Sequence, residues 1–215
     1  MRQYAELREA CEAMTNAPDH YRPEVFWEDA TSRIVSEVAA HGIDCFRSLS
    51  TPMGYFVPTW GVPVNSFTQE QVETLDREFM DRHPESRKAL LALNHFLSGE
   101  MAAWADYRAL KAADDPTCVP HLHQFSESSA GRSTGQFQIE GRRCSRSSMT
   151  YLLGLALLKR CAGGDFPKVV LEVGGGFGSL GEVLAASNLP DWKYIDIDIP
   201  PTSFVAERYL RLGAR

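Results

Sequence analysis

The chain predicts an α/β protein, with a helical N-terminal region leading into the opening strands of a parallel sheet. Three observations predict it. Apolar residues over roughly the first half recur at spacings of three and four, the helical period. The last quarter then alternates "KVVLEV", "GSLGEVLAAS", "WKYIDIDI" and "SFVAERYLRL", and strand–helix alternation of this kind makes parallel βαβ units. Finally, "KVVLEVGGGFGSLGEVL" joins its strand to its helix through a run of glycines, the form of a turn that lets backbone approach a nucleotide.

Taken in order, "MRQYAELREACEAM" predicts a short helix. "RPEVFWEDATSRIVSEVAAHG" predicts a longer one, with Pro23 in the first turn, an apolar series Phe26, Ala30, Ile34 and Val38, and Gly42 as its stop. "STPMGYFVPTWGVPVNS" holds three prolines and two glycines and predicts loop. "TQEQVETLDREFMDRH" opens on Thr68 and Gln71 as a capping pair and sets Val72, Leu75 and Phe79 on one face. From Pro84 one long helix is predicted. Leu90, Leu93, Leu97, Met101 and Trp104 form its stripe, read as core packing, and "ADDP" ends it near Pro116. "GQFQIEGRRCS" predicts a hairpin around Glu140-Gly141. "SSMTYLLGLALLKRCAGG" predicts a buried helix stopped by Gly163-Gly164. The change of pattern divides the chain at residues 1–144, helical with a polar Ser/Gly/Arg-rich connector, and 145–215, the strand–helix region.

Composition narrows the partners. The 215 residues are 44% hydrophobic and 23% charged with a formal net charge of −6, which fits no nucleic-acid partner, since that calls for a basic face. Cys11, Cys45, Cys118, Cys144 and Cys161 form no C-x-x-C pair, so reduced thiols in a cytoplasm are expected. The longest apolar run, Tyr151 to Leu158, is too short to span a bilayer. The N-terminus is charged throughout and lacks a signal-peptide core. A soluble, cytoplasmic protein with no membrane partner is expected.

The glycine run has two registers. Gly176, Gly178 and Gly181 satisfy G-x-G-x-x-G, the dinucleotide fingerprint. Glu172, Gly174, Gly176 and Gly178 satisfy E-x-G-x-G-x-G. The strand runs straight into Gly174, so the turn begins there and the second register is favoured. The next helix then starts near Gly178 and turns its free amides toward a small charged ligand.

In that register "VLEVGGGFGSLGEVL" resembles motif I of class I S-adenosylmethionine-dependent methyltransferases. "YIDIDIPPTSFVAERYL" resembles the second strand and following helix of O-methyltransferases, where an Asp before an Ile-Pro pair ends the strand. Residues 125–212 are similar to bacterial sugar O-methyltransferases. The resemblance implies the first half of a Rossmann-like class I methyltransferase sheet, with S-adenosyl-L-methionine as cofactor. It also implies a sugar, or a nucleotide-linked or glycosylated metabolite, as small-molecule substrate. Gly174, Gly175, Gly176 and Gly178 would line the cofactor by backbone approach. Glu172 would sit under its methionine end or steady the glycine loop. Asp198 would accept hydrogen bonds from the ribose hydroxyls, a role compatible with capping the next helix. Asp196, two positions earlier on the same face, is a second polar contact or a strand-end carboxylate in water.

Weaker signals remain. His121 and His123 share a face if extended and are candidates for a general base; no third ligand at recognisable spacing accompanies them, so no metal is assigned. Arg132, Arg142, Arg143 and Arg146 form a local basic cluster, either a solvated face or a hold on the phosphates of a nucleotide-linked sugar. "SESSAGRSTG" is placed to form a lid. Two strands fall short of the family's sheet, so the catalytic domain is expected to be incomplete: a fragment with a missing C-terminal portion is favoured over a split protein completed by another chain or a degenerate remnant, and a homo-oligomer is a further expected partner. A nicotinamide-dependent oxidoreductase fragment and a non-catalytic remnant or interaction module are the alternatives.

Overall fold

The computed structural model describes residues 4–49, 60–62, 65–67, 69–97, 99–133, 135–163 and 166–213. Among these the protein is mixed α/β and mostly helical, with three two-stranded sheets. Helices α1 (Ala5–Thr15) and α2 (Val25–His41) lie where the apolar spacing puts them, and α2 ends at Gly42 with φ of 92°. Ala30, Ile34 and Val38 are buried along one stripe of α2; the side chain of Phe26 lies outside the description.

The predicted loop between α2 and the next helix differs in part. Trp60–Val62 (β1) and Asn65–Phe67 (β2) pair as an antiparallel hairpin, Trp60 opposite Phe67 and Val62 opposite Asn65. Residues 50–59 and 63–64 lie outside the described residues. Helix α3 (Gln69–Arg82) follows as predicted; Thr68 of its capping pair is outside the described residues, and Leu75 is exposed.

The single long helix predicted from Pro84 is two: α4 (Arg87–Leu97) and α5 (Glu100–Ala113). Gly99, left-handed with φ of 76°, breaks it, since only a residue without Cβ takes that conformation freely. The break rotates the stripe. Met101 becomes 58% exposed, while Ala103, Tyr107 and Leu110 are buried.

The second predicted hairpin is present as Phe137–Ile139 (β3) and Arg142–Cys144 (β4). Glu140 and Gly141 both take positive φ, 49° and 78°, which the mirror-image two-residue hairpin turn demands. Helix α6 (Arg146–Ala162) starts at a capping box between Ser145 and Ser148 and stops at left-handed Gly163.

Strand β5 (Val169–Val173), helix α7 (Ser179–Ala185), strand β6 (Lys193–Ile197) and helix α8 (Pro200–Gly213) complete the alternation. β5 and β6 pair in parallel, Val169 opposite Lys193 through Val173 opposite Ile197. One face of this pair carries Val170, Glu172, Tyr194 and Asp196 and turns toward α6 and α7. The other is bare: Leu171 is 58% exposed, Val173 76% and Ile197 52%.

Two cores hold the fold. One joins α5, α6, α7 and the 122–125 turn through residues such as Tyr107, Phe125, Met149, Leu152 and Leu184. The other joins α1 and α2 to α8 through Leu7, Ile34, Val38, Phe204 and Tyr209, with Phe46 and Phe177 between them. Each such buried side chain contributes about 1.5–3 kcal/mol.

Candidate functional site

The site begins where β5 stops. The Gly174 N–H donates to the Ile197 carbonyl at 2.8 Å, so the chain leaves the strand at that residue. Gly176 then takes φ of 64°, a left-handed conformation costly for any residue with a Cβ; Gly174 and Gly178 share the positive sign. Gly175 is glycine for a different reason. A Cβ there would collide with Asp196 and lie 2.8 Å from Glu172 Oε2. The loop can therefore lie flat on two carboxylates.

Asp198 fixes the loop. Its Oδ2 accepts the Gly176 N–H at 2.8 Å and its Oδ1 accepts the Ile199 N–H at 2.6 Å. The first-turn amides of α8 go elsewhere, those of Thr202 and Ser203 both to the Ile199 carbonyl. Asp198 is thus the staple of the glycine loop, a role the sequence did not display, rather than a side-chain cap of α8. Each oxygen keeps acceptor capacity, since a carboxylate offers about four lone-pair sites. Burial raises its pKa, opposed by the two amides.

Glu172 and Asp196 sit opposite each other in the β5–β6 register. Glu172 is satisfied: the Tyr151 hydroxyl donates to Oε1 at 2.9 Å and the Tyr194 hydroxyl to Oε2 at 2.5 Å. Burial, the carboxylate and these bonds together push both phenols well above their usual range. Asp196 is not satisfied; neither oxygen has a hydrogen-bond partner among the described residues. Burial raises its pKa, and the charges of Asp198 and Glu172 raise it further. The Gly175 amide lies close enough to act the other way but outside hydrogen-bond geometry.

Above the loop lies a cleft of about 290 Å³. Gly174, Gly175, Gly176 and Asp198 line it, and so do Phe177, Ser179, Ile199, Ser147 and Tyr151; Trp27 reaches it from α2. Ser147 and Tyr151 are four apart on α6 and so share a face, a spacing that could have marked them. Tyr151 also stands out as the polar tip in an otherwise apolar run. Nothing in the sequence marks Trp27, which comes from the other half of the chain.

The floor of the cleft is braced from the N-terminal half. Phe177 stacks edge-on against Phe46 at 5.5 Å and Tyr209 at 5.0 Å, with the Arg47 guanidinium 5.1 Å over its ring. Arg47 is fully buried and pairs with Glu127. Glu127 also accepts from the Ser145 amide and hydroxyl and from the Ser148 hydroxyl.

The other candidates fall away from the cleft. His121 and His123 have ring centroids 5.9 Å apart, and neither lines it. His123 Nδ1 is 4.0 Å from Asp114, which also holds the buried Lys159 at 2.6 Å. The four arginines go to different surroundings: Arg142 contacts Tyr107 and lies 3.9 Å from Glu140, Arg143 Nε donates to the Glu127 carbonyl, Arg132 is exposed, and Arg146 opens α6 within electrostatic reach of Asp106. "SESSAGRSTG" is no lid over the cleft. Its Ser128 amide donates to Glu182 and Gly131 packs on Phe46 and Arg47, and none of its described residues lines the cleft; Thr134 lies outside the described residues. Among the described residues no group of three or more His, Cys, Asp or Glu could hold a metal ion. No described helix is long and apolar enough to cross a membrane.

No protein-family model, curated protein or solved structure matches the chain.

Proposed function

We propose that the chain carries the donor-binding part of an S-adenosyl-L-methionine-dependent O-methyltransferase acting on a hydroxyl of a sugar or glycosylated small molecule. The observation that carries the reading is the Asp198 carboxylate, aimed into the glycine loop at Gly176 and lining the cleft the loop opens on. A carboxylate with lone pairs to spare suits a ribose diol. A side-chain-free loop suits close approach of the rest of the nucleoside. The acidic strand ends, with no cation among the described residues that line the cleft, suit a ligand that brings positive charge.

When bound, that cofactor would supply an electrophilic methyl group on a sulfonium. The chain's own part is to position: Asp198 and the loop backbone fix the nucleoside, and Trp27 with Tyr151 limits water at the cleft walls. In this reading β5 and β6 are the first strands of a Rossmann-like class I sheet. The bare apolar face of the pair supports a catalytic domain that is incomplete in this chain, because parallel strands are normally covered on both faces.

The reading is tested by calorimetry of the 215-residue chain with S-adenosylhomocysteine. Binding is expected, and Gly176→Val is expected to abolish it by forcing a Cβ into a left-handed position and off the Asp198 staple. Absence of binding in the wild type would end the proposal.

One observation favours a second reading, a nicotinamide-dependent oxidoreductase. A Cβ at Gly181 would lie 2.7 Å from the Tyr194 ring, and close helix–strand packing is the task of the third glycine in the dinucleotide fingerprint. A nicotinamide dinucleotide raising the melting temperature where S-adenosylhomocysteine does not would favour it.

A further inference from the structure

Phe177, in the wall of the cleft, meets Tyr209 edge-on at 5.0 Å, and Tyr209 lines a second cavity. This cavity has a volume of about 460 Å³ and shares no lining residue with the cleft. Its size falls in the range that holds a small organic molecule. Small residues on α7 and α8, Gly181, Ala185 and Gly213, leave the room, and Trp192, Tyr194 and Tyr209 supply aromatic walls. Glu182, half-buried, is the one charged side chain among the described residues that line it.

The bonds of Glu182 do not offset its charge. Its Oε1 accepts the Ser128 N–H at 2.7 Å, and its Oε2 accepts the Tyr209 hydroxyl. Both donors are neutral: burial pushes the Tyr209 phenol far above its usual range against the pull of Arg47, so the phenol keeps its proton. The Tyr209 oxygen also accepts from Arg47 at 3.3 Å, but that guanidinium is already paired with Glu127. Glu127, Arg47, Tyr209 and Glu182 thus form one linked group with two carboxylates to one guanidinium. A charge drawn out of water without a counter-charge is costly. We propose that the cavity binds an organic cation, a protonated amine carried on a flat aromatic body, with the ammonium donating to Glu182 and the body lying among Trp192, Tyr194 and Tyr209. A carboxylate with two of about four lone-pair sites in use can accept it. Aromatic walls attract a cation and stack on a flat ring. This inference does not rest on the methyl-donor reading.

The test is a titration of the ¹⁵N-labelled 215-residue chain with tryptamine, which joins an ammonium to an indole, and with indole-3-propionate, which sets a carboxylate on the same ring. Tryptamine is expected to give saturable shifts at the amides of Gly181, Ala185 and Gly213 and at the Trp192 indole N–H. Indole-3-propionate is expected to bind there roughly tenfold more weakly or less, and Glu182→Gln to lower the tryptamine affinity roughly tenfold, the loss typical of one hydrogen bond to a charged group. Should Glu182→Gln disturb the fold, the matched ligands on the wild type decide. No saturable shift with tryptamine, equal affinity for the two ligands, full affinity in a folded Glu182→Gln, or shifts centred on Gly174 and Gly176 would each overturn the proposal. None of these outcomes bears on whether S-adenosylhomocysteine binds at the glycine loop.

Discussion

Asp198 and Asp196 stand two positions apart on one strand end and differ in everything that matters locally. Asp198 has two backbone amides on its oxygens; Asp196 has none within hydrogen-bond geometry and faces Glu172 across the pair. The raised pKa of Asp196 follows from burial and from those neighbouring charges. A carboxyl whose folded pKa lies above its unfolded value weakens the fold as pH rises through that window, because the unfolded chain releases the proton more readily. Asp196→Asn is therefore expected to stabilise the free protein at pH 7, by a few tenths of a kcal/mol to about 1 kcal/mol for relief of a like-charge cross-strand pair. The gain should shrink as pH falls toward the ordinary aspartate value of 3.8. Denaturant unfolding of both proteins at pH 7 and pH 4.5 checks it, and a destabilised variant at pH 7 would show that Asp196 has a structural partner. Glu172 and Asp198 were singled out by the resemblance that the glycine run and the "DIDIPP" stretch carry, and Asp196 by a strand's period of two, which sets it on the face of Asp198. Ser179 and Trp27 were not. A serine after a glycine run looks like any helix start, and a tryptophan in an amphipathic helix looks like core.

Among the elements, the 43–48 turn shows how a segment without a motif shapes the site. Phe46 and Arg47 reach Phe177 inside the glycine loop, and Arg47 with Glu127 ties that turn to the start of α6. A buried ion pair contributes little net stability, but removal of one partner strands the other. Arg47→Met is expected to cost about 3–5 kcal/mol for that reason. Its deficit should lessen as pH is lowered, since a protonated Glu127 is cheaper to bury. Addition of Glu127→Gln should recover part of the loss at neutral pH. Denaturant midpoints of the three proteins measure this; a single variant within about 0.5 kcal/mol of wild type would mean the pair is not buried as described. Helix α2, the β3–β4 hairpin, α6 and the β5–α7–β6–α8 run were readable from periodicity, turn glycines and the Ser145 cap. The α4–α5 break was not, because a glycine in a helical stripe is often tolerated and only tertiary packing decides whether it opens left-handed. The β1–β2 hairpin was hidden by the prolines and glycines that surround it.

At the scale of the molecule, the two halves share a core. Leu7, Ile34 and Val38 from the first half pack with Phe204 and Tyr209 from the last helix, and the candidate cleft takes a wall from each. Alternating pattern made the strand–helix region legible as local units. It could not reveal that α1 and α2 close on α8, because contacts some 200 residues apart leave no trace in spacing; the Glu6–Arg208 pair is one of them. The bare face carrying Leu171, Val173 and Ile197 is similarly invisible in sequence, where a strand exposed on one face and a strand buried on both read as the same apolar run.

The central claim is that the glycine loop and Asp198 together receive a sulfonium nucleoside. Its most direct test is a ¹H–¹⁵N correlation spectrum of the labelled chain, titrated with S-adenosylhomocysteine. The account predicts saturable shifts centred on the amides of Gly174, Gly176, Gly178 and Ile199, with the loop around His121 unchanged. A spectrum that does not move, or one that moves at these amides only with a nicotinamide dinucleotide, would contradict it.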